Sequence, residues 1–184
     1  MAESLRFKIH RFKQVDSTNR VAFRFGRHGA PSGSVFVADY QTKGRGKWGR
    51  KWASPRGKNL LFSLLLYPKL TASEAPWVTQ VACRSVAKVL REKFGLQTTL
   101  KRPNDVLVKG KKICGVLVEA QGRANGRVES LVIGIGLNVN SSEEELVPGA
   151  TSLKEESGKK EAKTPLFEAL LRQLKSDLKG IKGL

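Results

Sequence analysis

Cysteine and long hydrophobic runs are both scarce in this chain of 184 residues, and each scarcity excludes a class of protein. Its two cysteines, Cys83 and Cys114, are too few for a disulfide framework or a zinc module. No apolar run approaches the roughly 18 residues of a transmembrane helix, and the first twenty residues carry charges where a signal peptide has an apolar core. We therefore expect one soluble domain in a reducing compartment, the cytoplasm, with no membrane partner.

Acidic residues are rare in the first 115 positions, which hold 24 Lys and Arg against 6 Asp and Glu. The remaining 69 positions hold 10 of each, so the formal charge of +18 arises entirely in the first two-thirds. Such a surface attracts nucleic acid, and equally phosphorylated small molecules. A basic face that serves only solubility is a third alternative, and charge by itself does not choose among them.

The apolar patterns predict an α+β domain with a mixed, mostly antiparallel central sheet and helices packed on it. The predicted strands cover residues 5–12, 33–41, 60–67, 98–101, 106–108, 113–120 and 127–140. Three helices are predicted, over residues 17–29, 73–94 and 164–178. A glycine-containing turn at residues 109–111 joins two of the strands as a hairpin.

A long loop is predicted from Thr42 to Asn59, with seven Lys or Arg, four glycines and no acidic residue. Long structureless segments of compact domains are usually functional or disordered. Residues 44–49, Gly-Arg-Gly-Lys-Trp-Gly, match the dinucleotide-binding pattern G-x-G-x-x-G. No helix is predicted directly after them, however, and the next carboxylate is as far away as Glu74, so a Rossmann site is disfavoured.

The composition of this loop favours an anion site. Glycines let backbone N–H groups approach a ligand closely, while Arg45 and Lys47 supply charge-assisted hydrogen bonds. We expect the empty loop to repel itself and to become ordered when an anion neutralises it. Trp52 either stacks on the base of a phosphorylated ligand or packs on the edge of the core, and both interpretations stay open.

Five short blocks, in order between about residues 12 and 175, together resemble the biotin protein ligase family. They are Ser17-Thr18-Asn19; the loop from Gln41 through Gly44-Arg45-Gly46-Lys47-x-Gly49-Arg50-x-Trp52-x-Ser54-Pro55 to Gly57-x-Asn59-Leu60; Lys101-x-Pro103-Asn104-Asp105 with Lys112-Ile113-x-Gly115-x-Leu117-x-Glu119; Gly134 to Asn140; and Thr151-Ser152-Leu153. The sequence departs from the family at Arg102, where Trp is common, and at Lys47, where Arg is common. A lysine at position 47 loses the fork geometry of a guanidinium.

The resemblance implies the catalytic fold of the class II synthetase-like biotin/lipoate ligases and the activity of an AMP-forming biotin–[acetyl-CoA-carboxylase] ligase. Such an enzyme uses ATP and Mg²⁺ to convert biotin into biotinyl-5′-AMP, and then transfers biotin to one lysine of a biotin carboxyl carrier protein or domain. Because this reaction joins two anions, fixed cations are its main requirement. A homodimer and a monomer both remain open.

The resemblance also assigns roles by position. Lys101 and Arg45 are the catalytic residues, with Lys101 at the biotin carboxylate. The biotin-binding residues are Ser17, Thr18, Asn19, Gln41, Gly44, Arg45, Gly46, Lys47, Lys101 and Gly115. The nucleotide-binding residues are Arg45, Lys47, Trp52, Asn104, Lys112 and Asn138.

Two of these assignments have structural alternatives, and no metal ligand is assigned. Ser17 or Thr18 could serve as the cap of the first helix. Asn104 and Asp105 either position ATP or magnesium, or simply hold a turn.

We expect residues 1–184 to form a single biotin ligase catalytic domain, without an N-terminal DNA-binding domain or a complete C-terminal β-barrel, and without specific DNA binding. Two rival functions remain. Lipoate ligases share the fold but lack the Gly-Arg-Gly loop and the Lys-x-Pro-Asn-Asp block. A non-enzymatic nucleic-acid-binding domain would explain the charge, and predicts binding to DNA that weakens steeply with salt.

Overall fold

In the computed structural model, residues 5–122 and 126–181 are described. The strands are β1 (Lys8–Phe12), β2 (Ser34–Ala38), β3 (Leu60–Leu66), β4 (Thr98–Lys101), β5 (Asp105–Val108), β6 (Lys111–Gly122) and β7 (Val128–Leu137). The helices are α1 (Thr18–Arg27), α2 (Ala75–Phe94), α3 (Leu153–Ser157) and α4 (Lys163–Leu178).

All seven strands form one sheet in the order β1-β2-β3-β7-β6-β5-β4. Strands β1 and β2 run parallel because α1 crosses over between them, and every other neighbouring pair is antiparallel. The predicted α+β architecture with a mixed, mostly antiparallel sheet is therefore confirmed.

The sheet is covered on both faces around β3, whose seven residues are all buried. Leu64 of β3 belongs to the larger core, which includes α2 and α4, whereas its neighbour Leu65 packs with α1 residues. This alternation follows from the two-residue period of a strand. It also directs Ser63 towards α1, where the candidate site lies.

The helix boundaries differ from the prediction in two places. Helix α2 begins at Ala75 and not at Ser73, because Thr71 and Glu74 form a capping box over a short 3₁₀ turn. Helix α3 was not predicted. It has only five residues, too few for an apolar period, and is held by the Ser152 side chain, which accepts from the backbone N–H of Glu155.

The loop at residues 42–59 is irregular apart from a 3₁₀ turn at Lys47–Gly49, as predicted. It leads into β3 and not into a helix, which removes the Rossmann interpretation. None of the described helices is both long enough and apolar enough to span a membrane.

Candidate active site

The amino end of α1 meets the side chain of Gln41, and the two form the polar end of the site. The Oε1 atom of Gln41 accepts hydrogen bonds from Thr18 N at 2.7 Å and from Thr18 Oγ1 at 3.0 Å. Ser17 occupies the N-cap position, but its side chain makes no capping hydrogen bond. Ser17 is therefore the cap by position, as the alternative expected, but Gln41 and not the Ser17 side chain supplies the acceptor.

A buried polar cluster continues from Thr18 into the sheet. The Ser63 hydroxyl lies 2.7 Å from Thr18 Oγ1 and 2.6 Å from Asn19 Oδ1. The Asn19 amide donates to Leu117 O at 3.2 Å and to Glu119 Oε2 at 2.8 Å. Both amide protons of Asn19 are thus engaged by the protein itself, so its direct contacts are to β6 and β3.

Arg45 joins the basic loop to this cluster. Its Nη2 atom lies 2.8 Å from Glu119 Oε1 in an ion pair. The loop backbone closes on itself nearby, since Trp52 N donates to Gly44 O at 3.0 Å. A Cβ atom at Gly44 would lie 2.3 Å from the Trp52 carbonyl oxygen, so this close approach requires glycine.

The indole of Trp52 lies against bare backbone in the middle of the sheet. Gly115 of β6 and Gly136 of β7 are directly opposite each other. A Cβ atom would lie 2.8 Å from Trp52 Cζ3 at Gly115, and 2.5 Å from Trp52 Cε2 at Gly136. Trp52 Nε1 is buried and has no hydrogen-bond partner within the described part of the chain. Of its two sequence interpretations, packing against the sheet is observed, and stacking on a base stays a prediction.

Trp52 also separates two small cavities. One, of about 40 Å³, is lined by Ser17, Thr18, Gln41 and Arg45 at the α1 end. The other, of about 100 Å³, is lined by Asn59, Asn138 and Ser141. Both are lined by Trp52 and Lys112, so these two side chains stand at the boundary between the cavities.

Lys112 brings a second cation to this boundary. Its Nζ atom lies 2.6 Å from Asp105 Oδ1 and 5.4 Å from the centre of the Trp52 ring. Asp105 is thus neutralised by Lys112, and this ion pair stands beside both cavities. No group of three or more His, Cys, Asp or Glu side chains suited to a metal occurs among the described residues.

Asn104 holds the turn before β5. Its side-chain amide donates to Val116 O at 2.8 Å, and its own carbonyl accepts from Val116 N at 2.9 Å. The turn-holding alternative is therefore observed. Asn104 also lines the smaller cavity, so a contact with the nucleotide stays a prediction.

Lys101 lies on the same face of the sheet as the Trp52 contact at Gly115, but it lines neither cavity. Its position is opposite Asp105, which is opposite Gly115, and residues directly opposite in antiparallel strands share a face. Two strand spacings put its backbone about 10 Å from Gly115. The Lys101 ammonium is exposed, and it has no ion-pair partner within residues 5–122 and 126–181.

Asn138 lines the larger of the two cavities, the one of about 100 Å³, and hydrogen bonds of Asn138 and Asn59 hold the surrounding backbone in place. The Asn138 amide donates to Thr151 O at 3.0 Å, which explains the position of the last sequence block. Asn59 Oδ1 accepts from Val139 N at 2.9 Å and from Ser141 Oγ at 3.0 Å. The sequence assignment missed Asn59 as an organiser of the site, although its block contains that residue.

Glu119 and Ser63 were also missed. Glu119 stood in a block with no role attached, and a buried serine in an otherwise leucine-rich strand was the one signal for Ser63. The remaining assigned residues, Gly46 and Lys47, lie on the loop itself, where Lys47 Nζ is 5.1 Å from the Trp48 ring centre.

The two cysteines lie beneath the site and take no part in it. Burial raises the pKa of the Cys83 thiol to about 12, with a further rise from Asp105 and an opposing effect of Lys112. Burial likewise raises the pKa of Cys114 well above its ordinary value. Both thiols therefore stay protonated near neutral pH and are not nucleophiles.

The fold places a basic, glycine-rich loop opposite a part of the sheet where Gly115 and Gly136 leave the backbone uncovered by side chains of their own. Such an arrangement is suited to binding a small molecule. The model of the Biotin/lipoate A/B protein ligase family matches residues 11–138, and the chain belongs to this family.

Known proteins similar to the chain agree with this assignment. It is 38% identical over 161 residues to the bifunctional ligase/repressor BirA of Bacillus subtilis, a match that covers 85% of the chain and 49% of that protein. It is 31% identical over 168 residues to a biotin–[acetyl-CoA-carboxylase] ligase of Mycobacterium tuberculosis, covering 89% and 61%. The structure of a biotin protein ligase from Aquifex aeolicus in complex with biotin and ATP is 35% identical, with a TM-score of 0.77, covering 93% of the chain and 70% of that one. The chain spans about half the length of the BirA protein.

Proposed function

We propose that this chain activates biotin with ATP to biotinyl-5′-AMP and then transfers the biotinyl group to a lysine of a biotin carboxyl carrier domain. The observation that carries the proposal is the boundary at Trp52 and Lys112, where a small polar cavity lies next to a second cavity beside a loop with seven Lys or Arg. The first cavity suits a neutral ring with a polar end. The second, lined by Asn59 and Asn138, would receive part of the nucleotide. The similar Aquifex aeolicus protein is known in complex with biotin and ATP, which supports a pair of adjoining sites.

Biotin would place its uncharged ureido ring against Ser17, Thr18 and Gln41. The Ser17 hydroxyl makes no capping hydrogen bond, which leaves it for the ureido ring, while two hydrogen bonds hold Thr18 and Gln41 in place. The glycines at 115 and 136 let the flat indole of Trp52 lie on the sheet where a side chain would block it, so this ring would form one wall of the biotin pocket. Ligand pockets are typically lined by apolar surface with a few polar groups in fixed positions.

In the first step a carboxylate oxygen of biotin attacks the α-phosphorus of ATP, and the bond to pyrophosphate breaks. Both reactants are anionic, so Arg45, Lys47 and Lys112 would stabilise the charge that develops. Lys101, with no partner of its own among the described residues, would bind the biotin carboxylate by extending its flexible stem across the sheet. Mg²⁺ would enter the site bound to the phosphates of ATP, since magnesium in such sites is held mainly by substrate oxygens and water.

In the second step the amine of the acceptor lysine attacks the acyl carbon, AMP leaves with the bonding electrons, and the new amide loses a proton. The buried cysteines have no part in either step, because the nucleophiles are the biotin carboxylate and the acceptor amine. The basic loop would cover the mixed anhydride and exclude water, which otherwise hydrolyses it.

The acceptor, compartment and domain content belong to the same proposal. The similarity to a biotin–[acetyl-CoA-carboxylase] ligase supports a carrier domain as the acceptor. Cytoplasmic location, a single catalytic domain, absence of specific DNA binding and the choice between monomer and homodimer all stay predictions.

A thermal-shift experiment with three ligands tests the proposal against its rivals. Biotin should raise the melting temperature, and biotin with Mg·ATP should raise it further, because a ligand that binds only the native state stabilises it. Lipoate should give no comparable shift. Stabilisation by mixed-sequence DNA, with none by biotin and Mg·ATP, would contradict the proposal.

A further inference from the structure

Glu119 was given no role in the site, yet its carboxylate contacts two residues that are predicted to bind ligand, Asn19 and Arg45. One oxygen accepts from the Asn19 amide at 2.8 Å and the other pairs with Arg45 Nη2 at 2.8 Å. The carboxylate thus lies between Asn19, a buried residue of α1, and Arg45 of the basic loop at residues 42–59.

We propose that Glu119 is a positioning residue, which fixes the Arg45 guanidinium in the wall of the ligand cavity while Asn19 fixes Glu119. The inference rests on the proposed function, since it concerns how Arg45 meets the nucleotide. Arg45 lines the smaller cavity in this position, and one guanidinium nitrogen on the carboxylate leaves other donors for a phosphate.

The anchoring of Glu119 distinguishes this contact from an ordinary surface ion pair. Exposed pairs contribute little because two long side chains must both be ordered. Here Asn19 is 3% exposed and is itself held by Ser63 and by the Leu117 carbonyl, so one partner is already fixed. Ordering Arg45 is the only remaining cost.

The surrounding charge explains why Arg45 needs this partner. The open groove on its other side, of about 470 Å³, is lined by Arg20, Arg24 and Arg27 of α1. The acidic Asp16 in that groove lies 3.5 Å from Arg20. Without Glu119, Arg45 would therefore face a groove with three arginines and one aspartate, and the net repulsion would disfavour its observed place.

Glu119→Gln is the informative substitution. A glutamine keeps the size of the side chain and an oxygen that can accept from Asn19, but it loses the charge that holds Arg45. Glu168→Gln is the matched control, because Glu168 forms an exposed pair with Arg172 on α4, away from the site.

The first measurement is hydrogen exchange of the loop amides in the protein without ligands. Glu119→Gln should raise exchange at residues 44–52 about fivefold, the effect of one pair of about 1 kcal/mol, while Glu168→Gln should not. Unchanged exchange in Glu119→Gln would overturn the inference. This arm needs no catalysis, so it judges the inference even if the wild-type chain makes no biotinyl-AMP and the proposed function fails.

The second measurement is a double-mutant cycle on biotinyl-AMP formation. Glu119→Gln should raise the KM for ATP about fivefold and the KM for biotin less, because Asn19 keeps its other contacts and the rest of the biotin cavity is unchanged. In an Arg45→Ala background the same change should have no further effect, since Glu119 acts through Arg45. Independent, multiplying effects of the two substitutions would contradict the proposal, as would an equal rise in both KM values.

Discussion

Gly136→Ala tests whether the indole of Trp52 truly lies on bare backbone. The added Cβ atom would lie 2.5, 2.7 and 2.9 Å from Cε2, Cζ2 and Nε1 of the ring. Carbon atoms in good contact are about 3.5–4.0 Å apart, so the ring must move by about 1 Å or leave the sheet.

The size of the effect follows from two opposing contributions. Overpacking of this kind costs about 1–3 kcal/mol. Replacing glycine in a strand by alanine recovers about 0.5–1 kcal/mol of chain entropy. We therefore expect the free energy of unfolding to fall by about 1–2 kcal/mol.

Urea unfolding gives the stability, and Trp fluorescence reports the ring. A background with Trp48→Phe and Trp77→Phe leaves Trp52 as the single indole, because the chain has three tryptophans. Its emission should shift to the red as the ring becomes hydrated. Gly122→Ala is the control on the same sheet, since the nearest atom there is 3.6 Å from the new Cβ. Equal stability and emission for Gly136→Ala and wild type would refute the placement of Trp52.

Three further predictions concern the glycines of the basic loop, Lys101 and the two buried thiols. Gly44→Ala should open the loop and weaken nucleotide binding, measured by calorimetry, by tenfold or more, on the order of 1.4 kcal/mol. Gly46→Ala should have a small effect in the same assay, because its new Cβ would lie no closer than 3.3 Å to another atom, the Arg50 carbonyl oxygen. Equal losses would count against the Gly44 contact. Lys101→Ala should abolish biotinyl-AMP formation with an unchanged circular dichroism spectrum, and retained activity would remove Lys101 from the catalytic residues. Cys83 and Cys114 should resist thiol reagents in the native protein at neutral pH and react on unfolding. Because the pKa of Cys83 is raised to about 12, stability is intact below about pH 8.5, where unfolded thiols begin to ionise, and falls as pH rises towards 12. Cys83→Ala should flatten that fall in pH-dependent denaturation, and rapid native labelling would contradict the burial.

The sequence predicted the elements that have a clear period and missed those set by tertiary contacts. Strand β3 and helix α2 carry long apolar patterns and were found nearly to their ends. The neighbour relation of β3 and β7 joins residues more than 60 positions apart, and no local pattern encodes it. The short helix α3 depends on one cap at Ser152 and on its packing, and so escaped detection.

The candidate site was predicted by residue type better than by contact. Thr18, Gln41, Arg45, Trp52, Lys112 and Gly115 do come together around the smaller cavity. The sequence could not show that the amide of Asn19 is consumed by the protein, because its partners at Leu117 and Glu119 are about 100 positions away. Nor could it show that Lys101 stands outside the cavities, since that depends on the number of strands between them.

The most direct test of the central claim is the intact mass of a biotin carboxyl carrier domain after incubation with this chain, biotin and Mg·ATP. The account predicts that the domain gains the mass of one biotinyl group, and that the gain disappears when ATP is omitted or when the acceptor lysine is replaced by arginine. A carrier domain of unchanged mass, with wild-type protein that is folded and binds biotin, would contradict it.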